Sequence, residues 1–243
     1  MSSLQLYKAI TPRIKDSLPD FTEDGIPDSF FEDVSDITIV ACGTAMYAGM
    51  IGKTMIQNRL HIPVTVAIAS EFRYEEPVIS DKSMVVFVSQ SGETIDTLEA
   101  LRLANKYTKK TLSIVNVKGS SIARESNYVL YTHAGPEIAV ASTKAYTVQA
   151  ASFYLLGCKL GLVSGKMTKA DAKEFIENLQ EVPNLIESVI TQAPEIEQLT
   201  KRMVNATNAF YIGRGLDYTL CMEGALKLKE ISYIHAELMQ QES

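Results

Sequence analysis

The chain has 243 residues, 46% of them hydrophobic and 21% charged, which is the length and balance of an ordinary globular protein with one or two domains. Lys and Arg total 23 against 29 Asp and Glu, and no basic stripe interleaved with aromatic residues occurs, so nucleic acid is not an expected partner. The 3 cysteines show neither a Cys-x-x-Cys pair nor a nearby His, which argues against disulfides and a zinc site. With no leader pattern and no run of about 18 apolar residues, we predict a cytoplasmic protein without membrane association.

Residues 36–165 alternate short β-branched runs with helical patterns, after a turn-rich lead-in segment at 1–35 that we expect to have little core of its own. Strands are predicted at 37–41, 64–69, 84–88, 112–115 and 128–131, and helices at 45–60, 94–106, 121–125 and 143–162. Strands that alternate with helices need crossover connections, which favour parallel pairing. We therefore predict an α/β fold with a doubly wound parallel sheet.

The remainder, residues 166–243, divides into two further segments. Helices at 169–190 and 194–204 are predicted to connect the first domain to a new unit from residue 208, with a strand at 209–213 and a helix at 217–236. One strand and one helix cannot bury a parallel sheet, so we expect an incomplete second domain. That helix would expose an apolar stripe, and we predict that a homodimer covers it; the stripe consists of Leu220, Met222, Leu226, Ile231 and Ile234.

The third predicted strand runs into Ser89-Gln90-Ser91-Gly92-Glu93-Thr94 at the start of a helix. Free N–H groups and the positive end of the dipole at a helix N-terminus favour a dianion such as phosphate. The alternative is simple N-capping by Ser91 or Thr94, which needs only one hydroxyl. Because three hydroxyls and an amide occur together, we favour the phosphate cradle. No nucleotide-binding fingerprint is present, and no cofactor or metal is predicted.

Three other segments are weaker candidates. Cys42-Gly43-Thr44 follows the first strand, and the loop 134–144, which contains Ser142, joins the last strand to a long helix; both have the composition of ordinary turns. Glu223, Lys227 and Glu230 share one face of the last predicted helix. Spacing alone favours an exposed ion pair there, with no role beyond mild stabilisation of the helix.

Five segments taken together resemble one known family. Cys42-Gly43-Thr44, residues 69–74, 89–94, 134–145 and 223–237 occur in the order found in the sugar isomerase (SIS) part of glucosamine-6-phosphate synthases, the isomerizing glutamine:fructose-6-phosphate aminotransferases. The resemblance spans nearly the whole chain, and the match at 223–237 distinguishes these synthases from other SIS domains. It implies a three-layer αβα SIS fold, binding of fructose 6-phosphate and glucosamine 6-phosphate, and a place in hexosamine biosynthesis.

The resemblance also implies roles for particular residues. Ser89, Gln90, Ser91 and Thr94 would hold the phosphate, and Thr44 with the backbone around Val140 and Ser142 would line the sugar. Glu230 matches the carboxylate that moves a proton between C1 and C2, and Lys227 the lysine that assists it, so the resemblance reverses the ion-pair interpretation for Glu230.

Several departures from the family accompany this resemblance. Ala45 stands where a Ser is common, so one hydroxyl near the sugar is absent. We find no counterpart of the family's glutaminase cysteine, of its ring-opening histidine or of its Schiff-base lysine, and we therefore expect a fragment that binds sugar phosphate with little or no turnover. The alternative function is a non-catalytic SIS module that senses sugar phosphates, which usually follows a basic DNA-binding helix pair; residues 1–36 have no such pair.

Overall fold

The computed structural model describes residues 2–136 and 141–240. The helices are α1 (Ser2–Ile10), α2 (Gly43–Leu60), α3 (Ala69–Phe72), α4 (Ile95–Ala104), α5 (Ser121–Glu125), α6 (Lys144–Val163), α7 (Lys169–Ile190), α8 (Ala193–Thr200) and α9 (Leu216–Ser232). The strands are β1 (Ile14–Lys15), β2 (Leu18–Pro19), β3 (Asp36–Ala41), β4 (Val64–Ile68), β5 (Ser83–Ser89), β6 (Thr111–Val115), β7 (Tyr128–Tyr131), β8 (Asn208–Gly213) and β9 (His235–Gln240).

Strands β3 to β7 form a parallel sheet in the order β4-β3-β5-β6-β7. Every residue of the central strands β5 and β6 is buried, because helices cover both faces. Successive side chains of β5 enter opposite layers: Val86 and Val88 pack with α2 and α6, whereas Val85 and Phe87 pack with α4. The predicted doubly wound α/β fold is confirmed.

Helices α2 and α6 pack closely on one face of the sheet. A Cβ atom on Gly52 of α2 would lie only 2.5 Å from the ring of Phe153 in α6, so this approach requires glycine. The contact brings the N-terminal part of α6 beside the N-terminus of α2. It therefore sets the relative positions of two segments that line the same cavity.

The lead-in segment contributes more to the core than expected. Leu6, Ile10, Phe21 and Phe31 are almost completely buried in the same cluster as the sheet. Helix α1 packs against α6 and α7. The expectation of a segment with little core was wrong because its apolar residues are spaced irregularly, and only the folded chain brings them onto one surface.

The final unit differs from its prediction at one end. Helix α9 ends at Ser232 rather than 236, since Tyr233 adopts a left-handed conformation, with φ of 57°. Residues His235–Gln240 form β9, which pairs in parallel with β8. The unit is thus a β-α-β crossover in which strand pairing replaces the last helical turn. Within the ranges that the structure covers, no helix has the length and hydrophobicity needed to cross a membrane.

Candidate active site

A cavity of about 230 Å³ opens at the carboxyl ends of β3 and β5. These strands are neighbours in the sheet, but the chain leaves them in opposite directions, to β4 on one side and to β6 on the other. Such a switch point is where doubly wound proteins bind ligands, because the diverging connections leave a crevice. The lining consists of Cys42, Thr44, Ala45, Val88, Ser89, Gln90, Ser91, Thr94, Thr97, Ser142, Ala145 and Gln149.

The loop between β5 and α4 is held by its own hydroxyl groups. The Oγ atoms of Ser89 and Thr94 lie 3.0 Å apart, and Ser89 Oγ also accepts a 3.0 Å hydrogen bond from the N–H of Gly92. The N–H of Glu93 donates to Ser91 Oγ at 3.2 Å. The loop thus curls back on itself and presents its hydroxyls to the cavity.

Glycine is required at position 92. Its φ is +67°, and a Cβ atom there would lie 2.0 Å from Ser120 Oγ. The neighbouring Glu93 accepts a 2.9 Å hydrogen bond from the N–H of Ser121, and hydrogen bonding to Ser121 lowers the pKa of the Glu93 carboxyl. These contacts fasten the cavity loop to α5 and hold it in a defined shape.

The side-chain contacts of the loop at 89–94 distinguish simple N-capping from a phosphate cradle. Thr94 is the N-cap residue of α4, but among the described residues its side chain makes no capping bond to the helix backbone. Its hydroxyl lies against Ser89 instead, and Ser91 pairs with the N–H of Glu93 outside the helix. Simple N-capping therefore does not account for these hydroxyls. Within the described residues, the Thr94 side chain thus leaves the start of α4 uncapped, and a phosphate cradle would use the first N–H groups of the helix to bind the anion.

The cavity brings together most of the predicted binding residues. Those on its lining are Thr44, Ser89, Gln90, Ser91, Thr94 and Ser142. Ala45, where the family commonly has Ser, lines it too. Val140 falls outside the described residues. Lys227 and Glu230 belong to α9 and lie beside the described lining rather than in it.

A chain of polar contacts joins the cavity to α9. Thr44 donates a 3.2 Å hydrogen bond to Glu223 Oε1, and the same oxygen lies 3.6 Å from the ammonium group of Lys227. Lys227 in turn pairs with Glu230 Oε2 at 2.6 Å. The ion pair is partly buried, with Lys227 only 16% exposed, so the expectation of a fully exposed pair does not hold for this end of α9.

Spacing predicts Glu223 only as a member of that ion pair, yet it is the carboxylate that contacts a cavity residue. It is 7% exposed, and its Oε2 atom has no hydrogen-bond partner among the described residues. Burial raises the pKa of Glu223 above its usual value, against the lowering effect of Lys227. Burial, together with the nearby Glu223, also raises the pKa of Tyr146 to about 12.

Two buried polar residues on the lining were not predicted from the sequence. Thr97 and Gln149 are 1% and 2% exposed, and within the described chain neither Thr97 Oγ1 nor Gln149 Oε1 has a hydrogen-bond partner. Leaving such atoms unpaired costs about 1–3 kcal/mol each. The spacing of three residues from Thr94, the N-cap residue of α4, is the signal that would have pointed to Thr97. Ser142 precedes α6, so no helical spacing relates it to Gln149.

The fold and the cavity together define an α/β protein with a hydroxyl-lined cavity at the switch point of its sheet. Residues 30–158 match the SIS domain family. Because this match covers more than half of the chain, the protein belongs to the SIS domain family.

Two curated relatives show which SIS proteins this chain resembles. The chain is 47% identical over 206 residues to the isomerizing glutamine–fructose-6-phosphate aminotransferase of Caldanaerobacter subterraneus subsp. tengcongensis, covering 85% of this chain and 34% of that protein. The aminotransferase of Thermotoga maritima is 43% identical over 235 residues, or 97% of this chain and 39% of that protein. The chain thus spans little more than a third of these curated relatives.

A solved structure provides the same comparison in three dimensions. The C-terminal domain of glucosamine-fructose-6-phosphate aminotransferase from Francisella tularensis matches with a TM-score of 0.94 and 38% identity, over 98% of this chain and 67% of that one. The resemblance inferred from the sequence motifs is therefore confirmed. The part of the aminotransferases that this chain resembles is their SIS portion.

Proposed function

We propose that this chain is the sugar-isomerase part of an aminotransferase that converts fructose 6-phosphate and ammonia from glutamine into glucosamine 6-phosphate. The observation that carries the proposal is the hydroxyl-lined cavity at the switch point, with Ser89, Ser91 and Thr94 beside the N-terminus of α4. A phosphate ester there would accept hydrogen bonds from hydroxyls and helix N–H groups without a surplus of Lys or Arg. The curated relatives described above are named isomerizing glutamine–fructose-6-phosphate aminotransferases, which supports this choice of substrate.

The sugar would extend from the phosphate toward Thr44 and Ser142, with the backbone near Val140 as a further proposed contact. Both described residues lie on the same cavity as the cradle. Ala45 lies there as well, so a contact that a serine hydroxyl would supply is replaced by a methyl group. This arrangement would place the ligand's carbon chain between α2 and α6.

Glu230 and Lys227 are the proposed proton-transfer pair. After ammonia has replaced the C2 oxygen of the sugar as an imine, a proton leaves C1 and one is added at C2. A carboxylate on one face of the sugar can take the proton and return it. Lys227 contacts Glu230 at 2.6 Å and would keep that carboxylate oriented for the task.

Calorimetry tests the binding part of the proposal. Fructose 6-phosphate and glucosamine 6-phosphate should bind, and unphosphorylated fructose should bind far more weakly. Ser91→Ala removes a cradle hydroxyl and should weaken hexose 6-phosphate binding about 10-fold. Ser188→Ala is the matched control, because Ser188 is exposed on α7 and, among the described residues, its hydroxyl bonds only to Leu185 of its own helix. Equal affinities for fructose and its phosphate would contradict the proposal.

Isotope exchange tests the catalytic part. We expect little or no net turnover by this chain alone, so the exchange of ligand hydrogen with solvent is the sensitive readout. In D₂O with fructose 6-phosphate and ammonium, the native protein should introduce deuterium at C1, and Glu230→Gln should slow this about 10²–10⁴-fold. Binding with no exchange in the native protein would favour the alternative, a non-catalytic module that senses sugar phosphates.

A cytoplasmic homodimer is a further part of the proposal. Leu220 and Ile231 on α9 are 45% and 69% exposed, which supports the expectation of an apolar surface that a second copy covers. Light scattering at micromolar concentration should give twice the mass of the chain. A monomeric mass would contradict this part without affecting the binding proposal.

A further inference from the structure

The cavity contains two polar groups to which neither the fold nor the proposed phosphate contacts assign a partner. Thr97 and Gln149 are both at least 98% buried, and the described residues provide nothing for Thr97 Oγ1 or Gln149 Oε1 to bond with. Both residues line the cavity itself. Buried polar atoms are nearly always paired in folded proteins, so each of these atoms requires an explanation.

Three other hydroxyl groups of the cavity already have hydrogen-bond partners within the protein. Thr44 bonds to Glu223, Ser89 bonds to Thr94 and Gly92, and Ser91 accepts from Glu93. These groups are held in place by the protein before any ligand arrives. Thr97 Oγ1 and Gln149 Oε1 have no such partner among the described residues. A molecule that enters the cavity is needed to form hydrogen bonds with them.

The two residues approach from opposite layers of the molecule. Thr97 lies in the first turn of α4, which packs with the cluster on one face of the sheet, and Gln149 lies in α6, which packs with the cluster on the other face. Their side chains meet the same cavity beyond the edge of the sheet. A ligand that bonds to both must therefore extend across the cavity, which a lone phosphate held in the 89–94 loop does not do.

The chemistry of the pair indicates which part of a ligand they recognise. A threonine hydroxyl donates and accepts, and a carboxamide offers both functions, but neither carries a charge. Such groups match sugar hydroxyls better than they match a dianion. A site built to bond a ligand hydroxyl also rejects analogues that lack it, since its buried polar groups are then left unpaired.

We propose that Thr97 and Gln149 hydrogen-bond the hydroxyl groups of the bound sugar and so select a polyhydroxylated phosphate ester over other phosphates. This inference rests on the proposed function, because it takes the ligand of the cavity to be a hexose phosphate. It adds two specificity-determining residues that act on the sugar rather than on the phosphate.

Two nearly isosteric substitutions test the inference. Thr97→Val and Gln149→Met roughly preserve the size of each side chain and remove Thr97 Oγ1 and Gln149 Oε1, which bond to none of the described residues, so the fold should be retained. Calorimetry is carried out with fructose 6-phosphate and with inorganic phosphate as probes. Each variant should bind fructose 6-phosphate about 10-fold more weakly, and inorganic phosphate within about 2-fold of the native protein.

Matched controls separate recognition from general damage. Thr54→Val removes a hydroxyl that, within the described part of the chain, bonds only to Met50 of its own helix. Gln57→Met removes an amide oxygen that accepts from the N–H of Val64, and neither residue is on the described cavity lining. Both controls should bind both probes like the native protein. Melting temperatures of all four variants show whether a loss of affinity accompanies a loss of folding.

The outcomes are distinct. Native-like binding of fructose 6-phosphate by either Thr97→Val or Gln149→Met would overturn the inference for that residue, and its unpaired atom would then be explained by a buried water. An equal loss for both probes would also overturn it, because the residues would be shaping the phosphate loop. If the native protein itself bound no hexose phosphate, the proposed function would fail, and this inference with it.

Discussion

The hydroxyl of Thr44, at the start of α2, donates a 3.2 Å hydrogen bond to the carboxylate of Glu223 in α9, 179 positions further along the chain. Thr44 lines the cavity, and Glu223 lies one helical turn from Lys227. This hydrogen bond is therefore the point at which the proposed proton-transfer pair is connected to the proposed sugar site. It is one of the contacts between α2 and α9, which pack against each other although two connecting helices separate α9 from the first domain.

Fold stability should depend on pH through Glu223. Burial raises its pKa, so the folded state holds this proton more tightly than the unfolded state does. The corresponding stability is complete below the ordinary value of 4.5 and is lost as the pH rises through the raised pKa. We expect the urea midpoint of the native protein to fall, relative to that of Glu223→Gln, as the pH is raised from about 5 to 8. Exposed Glu177→Gln is the control, and parallel curves for the native protein and Glu223→Gln would refute the assignment.

Removing Asp24 should destabilise the fold strongly. Arg13 is 3% exposed, and Asp24 accepts hydrogen bonds of 2.8 and 2.6 Å from its guanidinium group. Asp24→Ala would leave that buried charge uncompensated, at a cost of about 3–5 kcal/mol. Glu125→Ala also breaks a bidentate pair, with Arg102, but that pair is exposed and should cost no more than about 1 kcal/mol. Chemical denaturation measures both, and similar losses would show that Arg13 is not dependent on this partner.

Alanine at position 92 should be poorly tolerated. A left-handed conformation costs a non-glycine residue about 1–2 kcal/mol, and here the added methyl group would also collide with Ser120, 2.0 Å away from the Cβ position. Relief of that overlap should bring the total to at least about 2 kcal/mol, together with weaker hexose 6-phosphate binding. Gly25 has a similar φ of +71°, and no described atom lies within 4 Å of its Cβ position. Gly25→Ala should therefore lower the free energy of unfolding only by the cost of the left-handed backbone conformation. An equal loss of stability for Gly25→Ala and Gly92→Ala would argue against the collision with Ser120.

The three cysteines should respond differently to alkylation. Burial raises the pKa of Cys158 to about 12, so this thiol should stay unmodified by iodoacetamide at mildly alkaline pH. Cys42 and Cys221 are both partly exposed. Of these two, only Cys42 is among the described residues that line the cavity. Fructose 6-phosphate at about ten times its Kd should slow alkylation of Cys42 about 10-fold and leave Cys221 unchanged. Peptide mass spectrometry reads each site separately, and equal protection of both cysteines would place the ligand elsewhere.

Much of the fold was predictable because its signals are local. The strands β5 and β6 are short β-branched runs, and helices α5 and α7 begin and end at the predicted residues 121–125 and 169–190. The limits of local signals appear at α9, where the predicted helix continues through residues that instead pair with β8. A strand partner 27 positions away, such as Asn208 for His235, leaves no trace in a periodicity of 3.6 residues.

The α/β class, the hydroxyl-rich loop at 89–94 and the family can all be predicted from the residues, since each depends on residue types within one short segment or on their order. The folded chain was needed to show that Thr44 contacts Glu223 and that the lead-in segment belongs to the core. It was also needed to show that Thr97 Oγ1 and Gln149 Oε1 are buried on one cavity without a partner among the described residues. Burial and hydrogen-bond pairing depend on which elements pack together. Distances between residues of different helices arise from the packing of the whole chain, and no local pattern encodes them.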